Sequence, residues 1–125
     1  MDAELAKKAL KNASLNIKKT KGIILQTDLG SQYTSNIFEE YLAELKIRHS
    51  YSRKGCPYDN SCIESFHSIL KKEEVNLKKY KDFKEAYNAI FEFIEAWYNR
   101  ERIHSCLNYK TPDEVHSEDE ESFAA

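Results

Sequence analysis

Asp28 and Glu64 are the two acids whose setting in the sequence could do chemistry. Asp28 closes a short apolar run, "GIILQTD", and Glu64 lies in "YDNSCIESFHSILKKE", with 35 residues between them. Two carboxylates at one site could hold a divalent cation, because hard ions such as Mg²⁺ take one or two carboxylates and complete their shell with water and phosphate oxygens. Two such ions about 3.5–4 Å apart activate a nucleophile and stabilise a leaving oxygen in phosphodiester chemistry. Two carboxylates are short of that requirement, and in a chain with 21 Asp and Glu spacing alone does not select this pair. Around Glu64, Asn60 stands four residues before and Lys71 seven after. On a helix those steps return to one face, setting amide, carboxylate and ammonium along one edge.

The elements that would position these residues follow from hydrophobic period. Residues 2–16 carry Leu5, Ala6, Ala9, Leu10 and Ala13 at helical spacing behind Asp2, which predicts an amphipathic helix. "GIILQT", residues 22–27, is short, apolar and β-branched, which predicts a buried strand with Asp28 at its carboxyl end. A second helix fits 34–45, with Thr34 or Ser35 as cap and Ile37, Phe38, Tyr41, Leu42 and Leu45 as its apolar face. A second strand is expected near 46–50, a third helix over 59–75, and a last long helix over 82–100. In that last helix Phe83, Tyr87, Ile90, Ile94 and Trp97 read as a stripe facing the core or an interface. The helical crossover between the strands predicts parallel pairing, and open parallel sheets gather sites at the carboxyl ends of their strands.

Composition bounds the function classes. A chain of 125 residues with 12% aromatics and three Gly reads as one folded domain. It has no membrane span and no signal peptide at its start, and its three cysteines are too few for a disulfide scaffold, so a cytoplasmic protein is expected. The net charge of −2 divides unevenly: up to residue 112 there are 19 basic against 15 acidic residues, a net +4, and six acids crowd the last thirteen positions. A mildly basic body permits DNA binding, and the end reads as a solvated, disordered acidic tail over 114–125.

Three separated stretches, "TDLGSQYTS", "YSRKGCPYDNSCIESFHSILKKE" and "WYNRERIHSCLNYKTPDE", resemble the integrase-core transposases of bacterial insertion sequences, the DDE enzymes of the retroviral-integrase superfamily. The resemblance covers residues 2 to 114, with the family's order of motifs and its 35-residue gap. It implies that Asp28 is the second catalytic carboxylate and Glu64 the third, both metal ligands, and that Lys71 contacts DNA near the active site. It also implies Mg²⁺ or Mn²⁺ as cofactor, transposon-end and target DNA as substrates, and association with itself or with full-length transposase. Arg53 and Lys54 before Gly55, Arg102 and His104 in the last motif, and Asn60 are further candidates for DNA contact. The family's His-Ser/Thr-Asp is here Gln26-Thr27-Asp28, and Leu29 stands where Arg often follows. The family's first Asp belongs on a strand upstream of the matched segment, and the only earlier Asp here is Asp2. The expected fold is therefore α/β: part of a ribonuclease-H-like integrase core over residues 1–113, helix-rich, with two short parallel strands, about four helices and the first three strands missing. Activity by this chain alone is not expected.

Plainer readings exist for each residue. Ser61-x-x-Glu64 fits a capping box, Asp28 an ordinary strand-end turn residue, and Lys71 a solvated helix charge. Glu64-x-x-His67 lacks the second such pair of a di-metal bundle, and Cys56, Cys62, His104 and Cys106 lack the spacing of a zinc site. A non-catalytic DNA- or transposase-binding module, or an inert relic of a disrupted element, are the rival functions.

Overall fold

The computed structural model describes residues 2–124, which fall into two compact units, one up to Glu64 and one from Ser65. The first holds α1 (Ala3–Ser14), β1 (Ile24–Thr27), α2 (Asn36–Glu44) and β2 (Arg48–Tyr51), then a 3₁₀ turn over Pro57–Asn60 that leads into α3 (Ser61–Glu73). The strands pair in parallel, Ile24 beside Arg48 and Thr27 beside Tyr51, as the helical crossover predicts. Asp2 caps α1, its carboxylate accepting from Leu5 N at 2.8 Å, and Ser35 caps α2 through Phe38 N at 3.3 Å.

The core of this unit is Ala6 of α1, Phe38 and Leu42 of α2, and Ile47, with Leu10, Ile23, Leu25, Tyr33 and Leu45 packed around them. Phe38 and Leu42 are fully buried, each contributing roughly 1.5–3 kcal/mol of apolar transfer. Alternation along β1 sends Leu25 and Thr27 towards this core, and leaves Ile24 56% exposed on the other face. α2 ends in a Schellman motif: Ile47 N donates to Leu42 O at 3.0 Å and Lys46 N to Ala43 O at 3.1 Å, with Lys46 at φ 56°.

The second unit contains the rest of α3, a 3₁₀ turn over Val75–Leu77, α4 (Phe83–Glu92), a π-helical turn over Phe93–Tyr98, a 3₁₀ turn over Ser105–Leu107, and α5 (Pro112–Ala124). Two expectations are corrected here. The 82–100 helix is α-helical only to Glu92, and the wider π turn shifts the register so that Phe93 is buried. Phe83 is 84% exposed, Tyr87 59% and Trp97 44%, so the aromatic stripe does not face the core. The acidic tail, read from composition as disordered, is α5. A capping box explains it: Thr111 N donates to Glu114 Oε2 at 2.7 Å, Glu114 N donates to Thr111 Oγ1 at 3.2 Å, and Pro112 fills the first helical position. The ion pair of Lys110 with Glu118, at 2.6 Å, adds to it.

Candidate active site

Asp28 leaves the carboxyl end of β1 as an exposed residue, and its Oδ1 accepts a hydrogen bond from Gly30 N at 2.8 Å. A Cβ at position 30 would stand 2.8 Å from that same oxygen, so glycine is required for the carboxylate to hold this pose. Behind Asp28 the strand end is fixed by partly buried polar contacts. Thr27 Oγ1 lies 2.9 Å from Asp28 O and 2.8 Å from His49 Nε2, and His49 Nδ1 lies 2.6 Å from Glu39 Oε1. The Tyr51 hydroxyl donates to the same Glu39 oxygen. That bond, helped by His49 and opposed by burial, holds the Glu39 carboxyl below the usual carboxylate range. Burial first, then Glu39, pushes the Tyr51 hydroxyl up to about 12.

Ser52 ties this strand end to the approach to α3. Its N–H donates to Thr27 O at 2.8 Å, its hydroxyl donates to Asn60 Oδ1 at 2.6 Å, and Gln26 Nε2 donates to its oxygen at 3.0 Å. Asn60 is thus held four residues before Glu64 by a bond to Ser52, which follows β2 and is itself bonded to Thr27 at the end of β1. Glu64 itself is exposed in the first turn of α3, and its carboxylate makes no hydrogen bond or ion pair with a described residue. The capping box with Ser61 is not formed. α3 follows directly on the 3₁₀ turn, so the chain before Ser61 is already helical and Glu64 is not drawn back to cap it.

Lys71 stands in the last turn of the same helix, exposed, where a cation also complements the helix dipole. Arg53 forks onto Asp59, with Nε 3.0 Å from Oδ2 and Nη2 3.1 Å from Oδ1, which brings the Asp59 carboxyl down to about 2. Lys54 is exposed and without a described partner. In the second unit Arg102 is occupied by Glu73, Nη2 to Oε1 at 3.1 Å, and Trp97 Nε1 donates to Glu73 Oε2 at 3.2 Å. His104 packs edge-on to Tyr98 with Nε2 buried and unpartnered, and burial, then Arg102, lower its pKa. Arg102 and His104 therefore face each other and Glu73 within their own unit.

No three His, Cys, Asp or Glu among the described residues are grouped to hold a metal ion. Asp2, the one Asp before Asp28 in this chain, has Oδ1 engaged in capping α1. Two exposed carboxylates do not make up the donor set of a two-ion Mg²⁺ or Mn²⁺ site.

Two models described as integrase core domain match the chain, one over residues 1–57 and the other over 45–112. The chain belongs to the integrase core domain family. It is 46% identical over 91 residues to the transposase for insertion sequence element IS904 of Lactococcus lactis subsp. lactis, covering 73% of this chain and 36% of that protein. It is 37% identical over 114 residues to transposase InsF for insertion sequence IS3A of Escherichia coli K12, covering 91% of this chain and 40% of that protein. The chain thus spans well under half the length of these relatives. Among solved structures, the simian T-cell lymphotropic virus intasome in complex with PP2A regulatory subunit B56 gamma aligns at a TM-score of 0.63 and 19% identity, over 83% of this chain and 36% of that one. This likeness carries the fold alone, a ribonuclease-H-like integrase core, as the motifs imply. In this integrase core the residues that sequence reading missed are Gly30, Glu39, His49, Tyr51 and Ser52.

Proposed function

We propose that this chain is the portion of a DDE transposase core that carries the second and third carboxylates, Asp28 and Glu64, of a metal-dependent polynucleotidyl transferase. The complete enzyme would hydrolyse a transposon DNA end and join its 3′-hydroxyl to target DNA. The observation that carries the reading is the contrast between these acids and their surroundings. Asp28 is aimed by Gly30 from a strand end braced by partly buried hydrogen bonds, and the Glu64 carboxylate is left without a described partner on a helix start tied through Asn60 and Ser52 to that strand. A divalent ion, Mg²⁺ or Mn²⁺, would supply the charge that such chemistry needs. The chain's own part is to present the two carboxylates, with Asn60, Lys71 and Lys54 as phosphate contacts, which Arg53 would join only by leaving Asp59. Arg102 and His104 would act on DNA only through the shape of their own unit, being engaged with Glu73 and Tyr98.

With two carboxylates of three, the chain alone should give no Mg²⁺- or Mn²⁺-dependent nicking or strand transfer above background on labelled transposon ends. Cleavage that disappears in Glu64→Gln would contradict this and show that another residue completes the site. The absence of a three-donor cluster among the described residues favours one second reading, a non-catalytic module that binds DNA or full-length transposase. In that case Asp28→Asn and Glu64→Gln would change nothing in a complemented reaction.

A further inference from the structure

The pole of the first unit opposite Asp28 has no part in the proposed reaction. The strands are parallel, so the segments that enter them, 18–23 and 45–47, meet at one end, and Asp28 leaves from the other. Two hydrogen bonds stitch the entries together: Thr20 Oγ1 to Leu45 O at 2.6 Å and Arg48 N to Ile23 O at 2.9 Å. Lys19 and Lys21 flank Thr20, Lys46 follows Leu45, and Lys18 and Arg48 border the group. All five cations are exposed, and none pairs with a described residue.

Opposing charge along the segments 18–23 and 44–48 is small. The carboxyl end of α2 offers about half a negative charge, and Glu44 adds one, against five positive charges. Lys46 occupies a left-handed backbone position, φ 56°, where glycine would be unstrained. The motif that ends α2 thus places a long, exposed cation beside the strand entries.

We propose that this pole is a second nucleic-acid contact surface, one that takes the phosphate backbone of a duplex without reading its sequence. The proposal rests on the reading above that the chain acts on DNA. Duplex is favoured over single strand because the segments 18–23 and 45–48 contain no aromatic side chain on which bases could stack. The duplex backbone offers a charge every ~3.4 Å per strand, a spacing that neighbouring lysines can follow.

The test is binding of the full chain to a random-sequence duplex, followed by fluorescence anisotropy across a salt series. Each lost phosphate contact lowers the slope of log affinity against log salt by about 0.9. The Lys18→Ala, Lys19→Ala, Lys21→Ala triple variant should therefore show a slope shallower by about 2.7, and binding at low salt weaker by about tenfold or more. The Lys79→Ala, Lys81→Ala, Lys84→Ala triple, which removes equal charge elsewhere, should bind nearly as the wild type does. Arginine at 18, 19 and 21 should restore binding, and thermal melts of all variants should match. Equal loss in both alanine triples, or unchanged binding in the first, would overturn the proposal while leaving the catalytic reading intact. Loss of binding to phosphatidylserine vesicles with duplex binding retained would overturn it in favour of a membrane surface. A wild-type chain that binds no duplex at low salt would overturn both this surface and the DNA reading on which it rests.

Discussion

Glu39 serves two partners at once, the imidazole of His49 and the hydroxyl of Tyr51, and through His49 it braces the strand end that carries Asp28. The His49 side chain is only 7% exposed, so His49→Phe leaves Glu39 and Thr27 short of a partner and should cost about 1–3 kcal/mol in urea unfolding. The pH dependence has a definite sign. A carboxyl whose folded pKa lies below its unfolded value stabilises the fold above the unfolded value, and that contribution fades as pH falls through the folded one. Glu39 starts from 4.5, so stability should decline below that pH, and Glu39→Gln should flatten part of the acid limb. Glu73, lowered first by Arg102, supplies another part of it. Tyr51 acts in the opposite direction: its contribution is intact below 10.0 and lost as pH rises towards about 12. Urea midpoints measured across pH for wild type, Glu39→Gln and Tyr51→Phe check both limbs. None of this cluster was legible in the sequence, because it depends on the register between α2 and β2 and not on any local spacing. Asp28 and Glu64 stood out because the motifs around them are local.

At the scale of elements, hydrophobic period located α1, β1, α2, β2 and α3 to within a few residues, since each buries one face or one strand side. It failed where geometry leaves no trace in that period. The switch from α to π at Phe93 turns that residue inward, and of the two readings of the stripe from Phe83 to Trp97, core or interface, the exposed Phe83, Tyr87 and Trp97 leave the interface. α5 was missed because acidic composition outweighed its start signals, Thr111-x-x-Glu114 with Pro112 between, which were present in the sequence. The end of α2 offers a direct test of element energetics. Lys46 at φ 56° stands where a Schellman motif prefers glycine, so Lys46→Gly should raise stability by about 0.5–1 kcal/mol. Chemical denaturation measures it, and a loss of stability would show that the Lys46 side chain contributes more to the fold than its backbone costs.

For the whole molecule, two features invite a second chain. β1 has a single described neighbour, β2, and its Ile24 face is exposed. Phe83, Tyr87 and Phe91 form an exposed ladder on α4, with ring centroids 6.3 Å apart at each step. Unpaired strand edges and apolar patches both promote association. The isolated chain should therefore show a mass that grows with concentration in light scattering behind a sizing column. Ile24→Lys, and serine at the three aromatic positions, should each reduce that growth, and a concentration-independent monomer would contradict the expectation. The central claim, that Asp28 and Glu64 are catalytic carboxylates, is tested most directly by restoring an upstream half that supplies the first Asp. Strand transfer is then measured with labelled transposon ends. Asp28→Asn and Glu64→Gln should each abolish transfer while leaving the melting temperature nearly unchanged, because both side chains are exposed and neither packs in the core. Full transfer by Glu64→Gln would contradict the account.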